Sequence, residues 1–191
     1  MPDNERVHHH AVSRMTTVDP QTDELQDPTR SRTVSWDDPT PVITASATLT
    51  GLELMRGIMT GELPAPPVAR LLGFGIDRVD EGNVVFTMDP IEAHQNPLGT
   101  VHGGIITTLL DSAMGCAVHT TLPPGGMYTT LELKVNFLRP SFAGGARLLA
   151  EGTVLHRGST AVLVEATITD ADAGKKIAHG TSTCLILPPR S

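Results

Sequence analysis

Two periodicities divide this chain. From Leu52 to Met59 the apolar residues Leu52, Leu54, Met55, Ile58 and Met59 recur at near-helical spacing, which predicts a short amphipathic helix. The prolines at Pro64, Pro66 and Pro67 end it, and Val68 to Leu72 forms a further helical turn before Gly73. Gly75 to Asp89 then reads as a hairpin turning at Asp80-Glu81-Gly82-Asn83, with Val84, Phe86 and Met88 on one face. Ile105 to about Thr120 is too long and too apolar for a strand, contains no proline and follows the glycine pair Gly103-Gly104, so it is the central helix. Four alternating segments follow, over residues 129–138, 147–156, 161–169 and 176–187.

One helix among strands joined by short turns makes an α+β domain, because regular βαβ alternation is missing. In the first of the four strands Leu131, Leu133, Val135 and Phe137 share the face that should grip the helix, leaving Thr130, Glu132, Lys134 and Asn136 on the other. In the third, Val162, Val164, Ala166 and Ile168 oppose Glu165, Thr167 and Thr169.

Upstream of this pattern the chain changes character. Residues 1 to about 48 are rich in Asp, Thr, Ser, Pro and Arg, with Trp36 as their one aromatic residue, and offer little burial against the entropy of ordering. The expectation is a tail over 1–48 and a folded domain over 49–191. His8-His9-His10 lacks a distant partner and makes a poor metal site, so no metal is expected. At 191 residues and a net charge of -7 the chain can bury a core, and it carries no basic stripe for nucleic acid. Cys116 and Cys184 lie too far apart in sequence for a zinc spacing, and both read as reduced thiols. Neither a signal sequence nor a membrane span is evident, so the expectation is a soluble cytoplasmic protein without nucleic-acid or membrane partners.

The chemistry concentrates around the start of the central helix. Helical geometry places Ile106, Leu109, Ala113 and Cys116 on a core-facing side, with Thr107, Thr108, Met114 and Gly115 beside Asp111. A carboxylate whose neighbours are small or uncharged suits an approaching ligand or a second subunit better than a solvated face. Free N–H groups at a helix start favour developing negative charge, and Gly103-Gly104 lets a substrate carbonyl come close to the backbone, the requirements of an oxyanion hole. Cys116 lies about 140° around the helix from Asp111 and is a poor nucleophile candidate. Glu132 alternates with Lys134 and reads as part of an exposed ladder pair. Met114, Gly115, Val118 and the 48–75 segment are candidates for lining an acyl tunnel.

The stretch Asn96 to Ala117, NPLGTVHGGIITTLLDSAMGCA, resembles the signature of the hotdog-fold acyl-CoA thioesterases, especially their phenylacetic-acid-pathway (PaaI-type) branch. The segment LKVNFLRP ending at Pro140 and His156-Arg157-Gly158 extend the likeness, which runs from about Leu63 to Pro188. The resemblance implies a curved antiparallel sheet wrapped around one long helix, sheets paired edge to edge in a homodimer that is the minimal active unit, and a dimer of dimers. It also implies a site between subunits for an acyl-CoA substrate, with CoA belonging to the substrate and no cofactor required.

By the same resemblance, Asp111 is the general base or nucleophile and Asn96 positions water or thioester. Gly103 supplies an N–H to the thioester oxygen, His102 orients the loop, and Thr130 falls near a hydroxyl position that assists water, with its neighbour Thr129 as the other choice of register. Arg139 and Arg157-Gly158-Ser159 are candidate contacts for the phosphate or pantetheine of CoA. A non-catalytic acyl-CoA sensor and an enoyl-CoA hydratase on the same fold are the alternatives. The carboxylate speaks against the first, and the lack of a His partner other than His102 against the second.

Overall fold

The computed structural model describes residues 30–187. Of the expected tail, residues 1–29, including His8 to His10, lie outside the described residues. A compact unit begins at Val34, and within it Thr40–Ala45 already forms a short helix, α1. The backbone N–H of Gly125 donates to the Ser46 carbonyl oxygen (2.8 Å), so order begins upstream of residue 49. The Asp38 carboxylate accepts from the N–H and hydroxyl of Thr40, a local start signal that hydrophobic periodicity does not register.

The helices α2 (Gly51–Thr60) and α3 (Pro67–Leu72) follow. Thr50 and Glu53 form a reciprocal capping box at the start of α2, and Gly61 ends it at φ 83°, a left-handed position suited to glycine. The hairpin pairs β1 (Phe74–Asp80) with β2 (Asn83–Met88), as its turn residues predict. The central helix α4 spans Gly103–His119, and the remaining strands are β3 (Met127–Phe137), β4 (Leu148–Arg157), β5 (Ala161–Asp170) and β6 (Lys176–Leu187).

All six strands join one antiparallel sheet in the order β1-β2-β4-β5-β6-β3. The sheet wraps α4, whose Leu109, Leu110, Ala113, Met114, Ala117 and Val118 are fully buried, along with Val162, Val164, Ala166 and Ile168 of β5. Gly152 on β4 permits this approach, because a Cβ there would overlap the Ala113 carbonyl. No helix among the described residues is long and apolar enough to cross a membrane.

Register shifts interrupt several strand pairs, and the one in β3 bears on the site. Thr130 pairs with Cys184 and Glu132 with Thr183, so Leu131 is an extra residue, a β-bulge. Past it, Leu133, Val135 and Phe137 pair with the buried Ser182, Gly180 and Ala178, while before it Thr130 pairs with the buried Cys184. The bulge therefore places Thr130 on the same helix-facing side as Leu133 and Val135, not the opposite one, and turns Leu131 out to 58% exposure.

Candidate active site

Two separate cavities flank α4. The larger, about 520 Å³, lies between α2, α3 and β1 on one side and α4 and β3 on the other. Its walls are mostly apolar, with Met55, Ile58, Phe74 and Phe86 among them, and its polar contributors include Asp111 and Thr130. The Thr130 hydroxyl donates to Asp111 Oδ1 at 3.1 Å, so the carboxylate is anchored by one oxygen. Thr129 is exposed.

Cys116 lines this cavity too. The cavity takes in Asp111, Ser112 and Cys116, an arc of about 140° around α4, so that offset does not separate Cys116 from Asp111. Burial, reinforced by the Asp111 charge, pushes the Cys116 thiol up to about 12. A thiol so rarely ionised remains a poor nucleophile. Of the expected tunnel residues, Met114 and Val118 belong to the sealed core instead, whereas residues of α2 and α3 do line the cavity.

The smaller cavity, about 350 Å³, sits at the start of α4 and is lined by Asn96, Gly103, Phe137 and Arg139 among others. Asn96 organises its own loop: Oδ1 accepts from the Leu98 N–H at 2.9 Å and the Thr100 N–H at 3.3 Å, and Nδ2 donates to Thr100 Oγ1 at 2.9 Å. Gly99 completes that turn at φ 78°.

His102 caps the helix, its Nδ1 accepting from the Gly104 N–H at 2.8 Å. That bond occupies Nδ1 with a structural duty. The Gly103 N–H receives no acceptor among the described residues and stands at the positive end of the helix. A side chain at Gly103 would press on the Phe137 ring, 3.2 Å from an ideal Cβ.

Arg139 borders this second cavity while donating from Nη1 to the Lys176 carbonyl oxygen at 2.7 Å, which leaves further donors on its exposed guanidinium. Arg157, Gly158 and Ser159 lie in neither cavity. They form the β4–β5 turn, where Arg157 Nη1 donates to the Gly158 carbonyl oxygen at 2.6 Å and the Gly158 N–H to that of Ala161 at 2.9 Å. Arg157, Val162, Cys184 and Thr130 occupy one row across the sheet, so this turn stands three strands away from Thr130. No cluster of three or more His, Cys, Asp or Glu side chains suited to a metal occurs among the described residues.

A carboxylate at the mouth of an apolar cavity and an unpaired N–H at a helix start are parts for hydrolysis at a carbonyl, and comparison with known proteins gives the class. Residues 98–177 match the model of the thioesterase superfamily. A Saccharolobus solfataricus protein named as an esterase is 33% identical over 64% of this chain and 85% of its own. The acyl-coenzyme A thioesterase PaaI of Escherichia coli is 34% identical over 47% of this chain and 61% of its own. The E. coli PaaI structure matches with a TM-score of 0.64 at 25% identity, covering 73% of this chain and 95% of that one. A Streptococcus mutans structure bound to acetyl-CoA matches with a TM-score of 0.56 at 29% identity, covering 62% and 91%. The chain belongs to the thioesterase superfamily. It has the hotdog fold, its structural neighbours are PaaI-like, and it is a thioester hydrolase.

Proposed function

We propose that this protein is an acyl-CoA thioesterase whose active site is shared by two copies of the chain, Asp111 and Thr130 coming from one and the Asn96 loop and Gly103 from the other. The observation carrying this reading is the separation of the parts. Eight residues of helix part Gly103 from Asp111, about 12 Å along the axis, while one tetrahedral centre needs both groups within roughly 3 Å. A single copy cannot supply both. The edge strand β3 gives a means of pairing: it has a neighbour on one side only, and its Leu131 and Phe137 are each 58% exposed.

In this arrangement the acyl group occupies the apolar cavity and the thioester carbon lies beside Asp111. Asp111 takes a proton from water as the oxygen adds to the carbonyl carbon, and the resulting oxyanion is met by the Gly103 N–H of the other copy. The tetrahedral intermediate collapses, breaking the C–S bond; the thiolate of CoA leaves and takes up the proton held by Asp111. Products are the free acid and CoA. One oxyanion donor contributes roughly 3 kcal/mol. Thr130 holds one carboxylate oxygen so that the other faces the water. Arg139, beside the Asn96 loop, is placed to meet a phosphate of CoA. The CoA-containing relative supports this ligand class, and the acyl-CoA thioesterase relative supports the activity.

The test is thiol release from a panel of acyl-CoAs. Asp111→Asn and Asp111→Ala are expected to lower turnover by at least about 100-fold with an unchanged melting temperature. Native turnover in a folded Asp111→Ala protein would overturn the assignment.

A further inference from the structure

Tyr128 is the only tyrosine in the chain, and the reaction outlined above gives it no task. It lies two residues before Thr130, ahead of the bulge, so both side chains project from the helix-facing side of β3 into the Asp111 cavity. Its hydroxyl fits a built niche. Gly115, one helical turn beyond Asp111, has no side chain, and a Cβ there would collide with the Tyr128 hydroxyl. The His119 ring, one further turn along the same helix, packs against the phenol with centroids 5.8 Å apart at 47°.

The phenol is thus seated against α4 at both Gly115 and His119. Yet its hydroxyl has no hydrogen-bond partner among the described residues, and it is not sealed off from the cavity. Burial raises its pKa well above the usual tyrosine value, with Cys116, Cys184 and Asp111 adding to the effect, so it persists as a neutral O–H donor. A desolvated donor left unpaired by a purely hydrocarbon ligand is costly, and a site with such a donor discriminates against ligands that cannot pair it.

We propose that the Tyr128 hydroxyl is a specificity-determining group, donating a hydrogen bond to an oxygen carried by the acyl moiety about 6 Å from the reacting carbonyl, the rise from Asp111 to Gly115. The preferred substrates are acyl groups bearing an oxo or hydroxy substituent at that distance, over equally long unsubstituted chains. This rests on the thioesterase reading of the same cavity.

Hexanoyl-CoA and 5-oxohexanoyl-CoA form the discriminating pair, since the 5-oxo oxygen reaches roughly that distance from C1. The native chain should favour the oxo ester in kcat/KM by about tenfold, and Tyr128→Phe should bring the two esters to near equality while still hydrolysing hexanoyl-CoA. A ratio that is the same in native and Tyr128→Phe proteins overturns the role of Tyr128 alone. Thiol release from neither ester by the native chain overturns the thioesterase reading itself.

A spectroscopic readout independent of turnover comes from ring-labelled tyrosine. With Tyr128 the only tyrosine, an Asp111→Asn chain labelled at Cζ with carbon-13 has a single resonance for this ring. It should shift on binding 5-oxohexanoyl-CoA and stay within the small change caused by hexanoyl-CoA if the proposed bond is absent. Equal shifts for the two bound esters would contradict the proposal.

Discussion

The two cavities beside α4 differ in almost every physical respect. The one at Asp111 has largely apolar walls from α2, α3, β1 and β2, and charge is disfavoured within it: burial suppresses ionisation of both Cys116 and Tyr128. The one at Gly103 is shaped by backbone, by the Asn96 turn and by an exposed arginine. The first suits a mainly apolar acyl group and the second suits the thioester oxygen and phosphate, which are the two ends of an acyl-CoA. Each alone lacks the other's half of the chemistry. The fold separates them along one helix, and in the arrangement proposed above two copies paired through β3 would bring unlike halves together.

The largest expected contrast concerns the apolar character of the Asp111 cavity. With its thiol raised from 9.0 to about 12, Cys116 has a thiolate population about 1000-fold below that of an ordinary cysteine near pH 8. Alkylation of Cys116 by iodoacetamide at pH 8, followed by peptide mass spectrometry, should therefore run at least about 100-fold slower in the folded chain than in urea. The sign also fixes an alkaline limit. The unfolded thiol ionises before the folded one, so this group leaves stability unchanged below pH 9 and removes it as pH rises from 9 toward 12. Rapid labelling in the folded state would mean that the cavity is wet and open, and the contrast with the Gly103 cleft would disappear.

The separation of the two halves is tested by mixing. Asp111→Ala and Asn96→Ala chains, each impaired alone, should assort at random when refolded together. Half the dimers are then mixed, and each mixed dimer has one site built wholly from native residues, so about a quarter of native activity returns. From a starting level near 1% this is a gain of roughly 25-fold. Activity in the mixture equal to the average of the two variants would show that each chain holds a complete site.

Much of this arrangement was legible in the residues. The helical run after Gly103-Gly104, the hairpin at Gly82 and the four later strands lie where their periodicities place them, because burial on one face is written directly into alternation. Asp111 stood out because charged neighbours are missing from its face. Two things escaped. A single inserted residue, Leu131, reverses the parity of β3, and uninterrupted alternation from Leu131 to Phe137 contains no mark of where the strand slips against its partner. An offset of about 140° reads as separating Cys116 from Asp111, yet one broad cavity wall takes in both. The Tyr128 niche carried one usable signal, Gly115 within an apolar helix, where a residue without a side chain marks a close approach.

The smallest effect tests what that bulge accomplishes. Thr130 reaches Asp111 only because Leu131 is looped out, and its hydroxyl supplies one hydrogen bond of 3.1 Å to a carboxylate that is partly buried. Hydrogen bonds to charged groups are worth about 1.5 to 3 kcal/mol, although solvent reaching the cavity mouth takes up part of the loss. Thr130→Val keeps the branched shape and deletes the donor, so kcat should fall by about five- to tenfold while KM and melting temperature change little. Thr130→Ser should restore most of the rate, since it returns the hydroxyl without the methyl group. A Val variant with native kcat would show that orientation of Asp111 depends on the walls of the cavity alone, and that the bulge serves packing of β3 instead of the carboxylate.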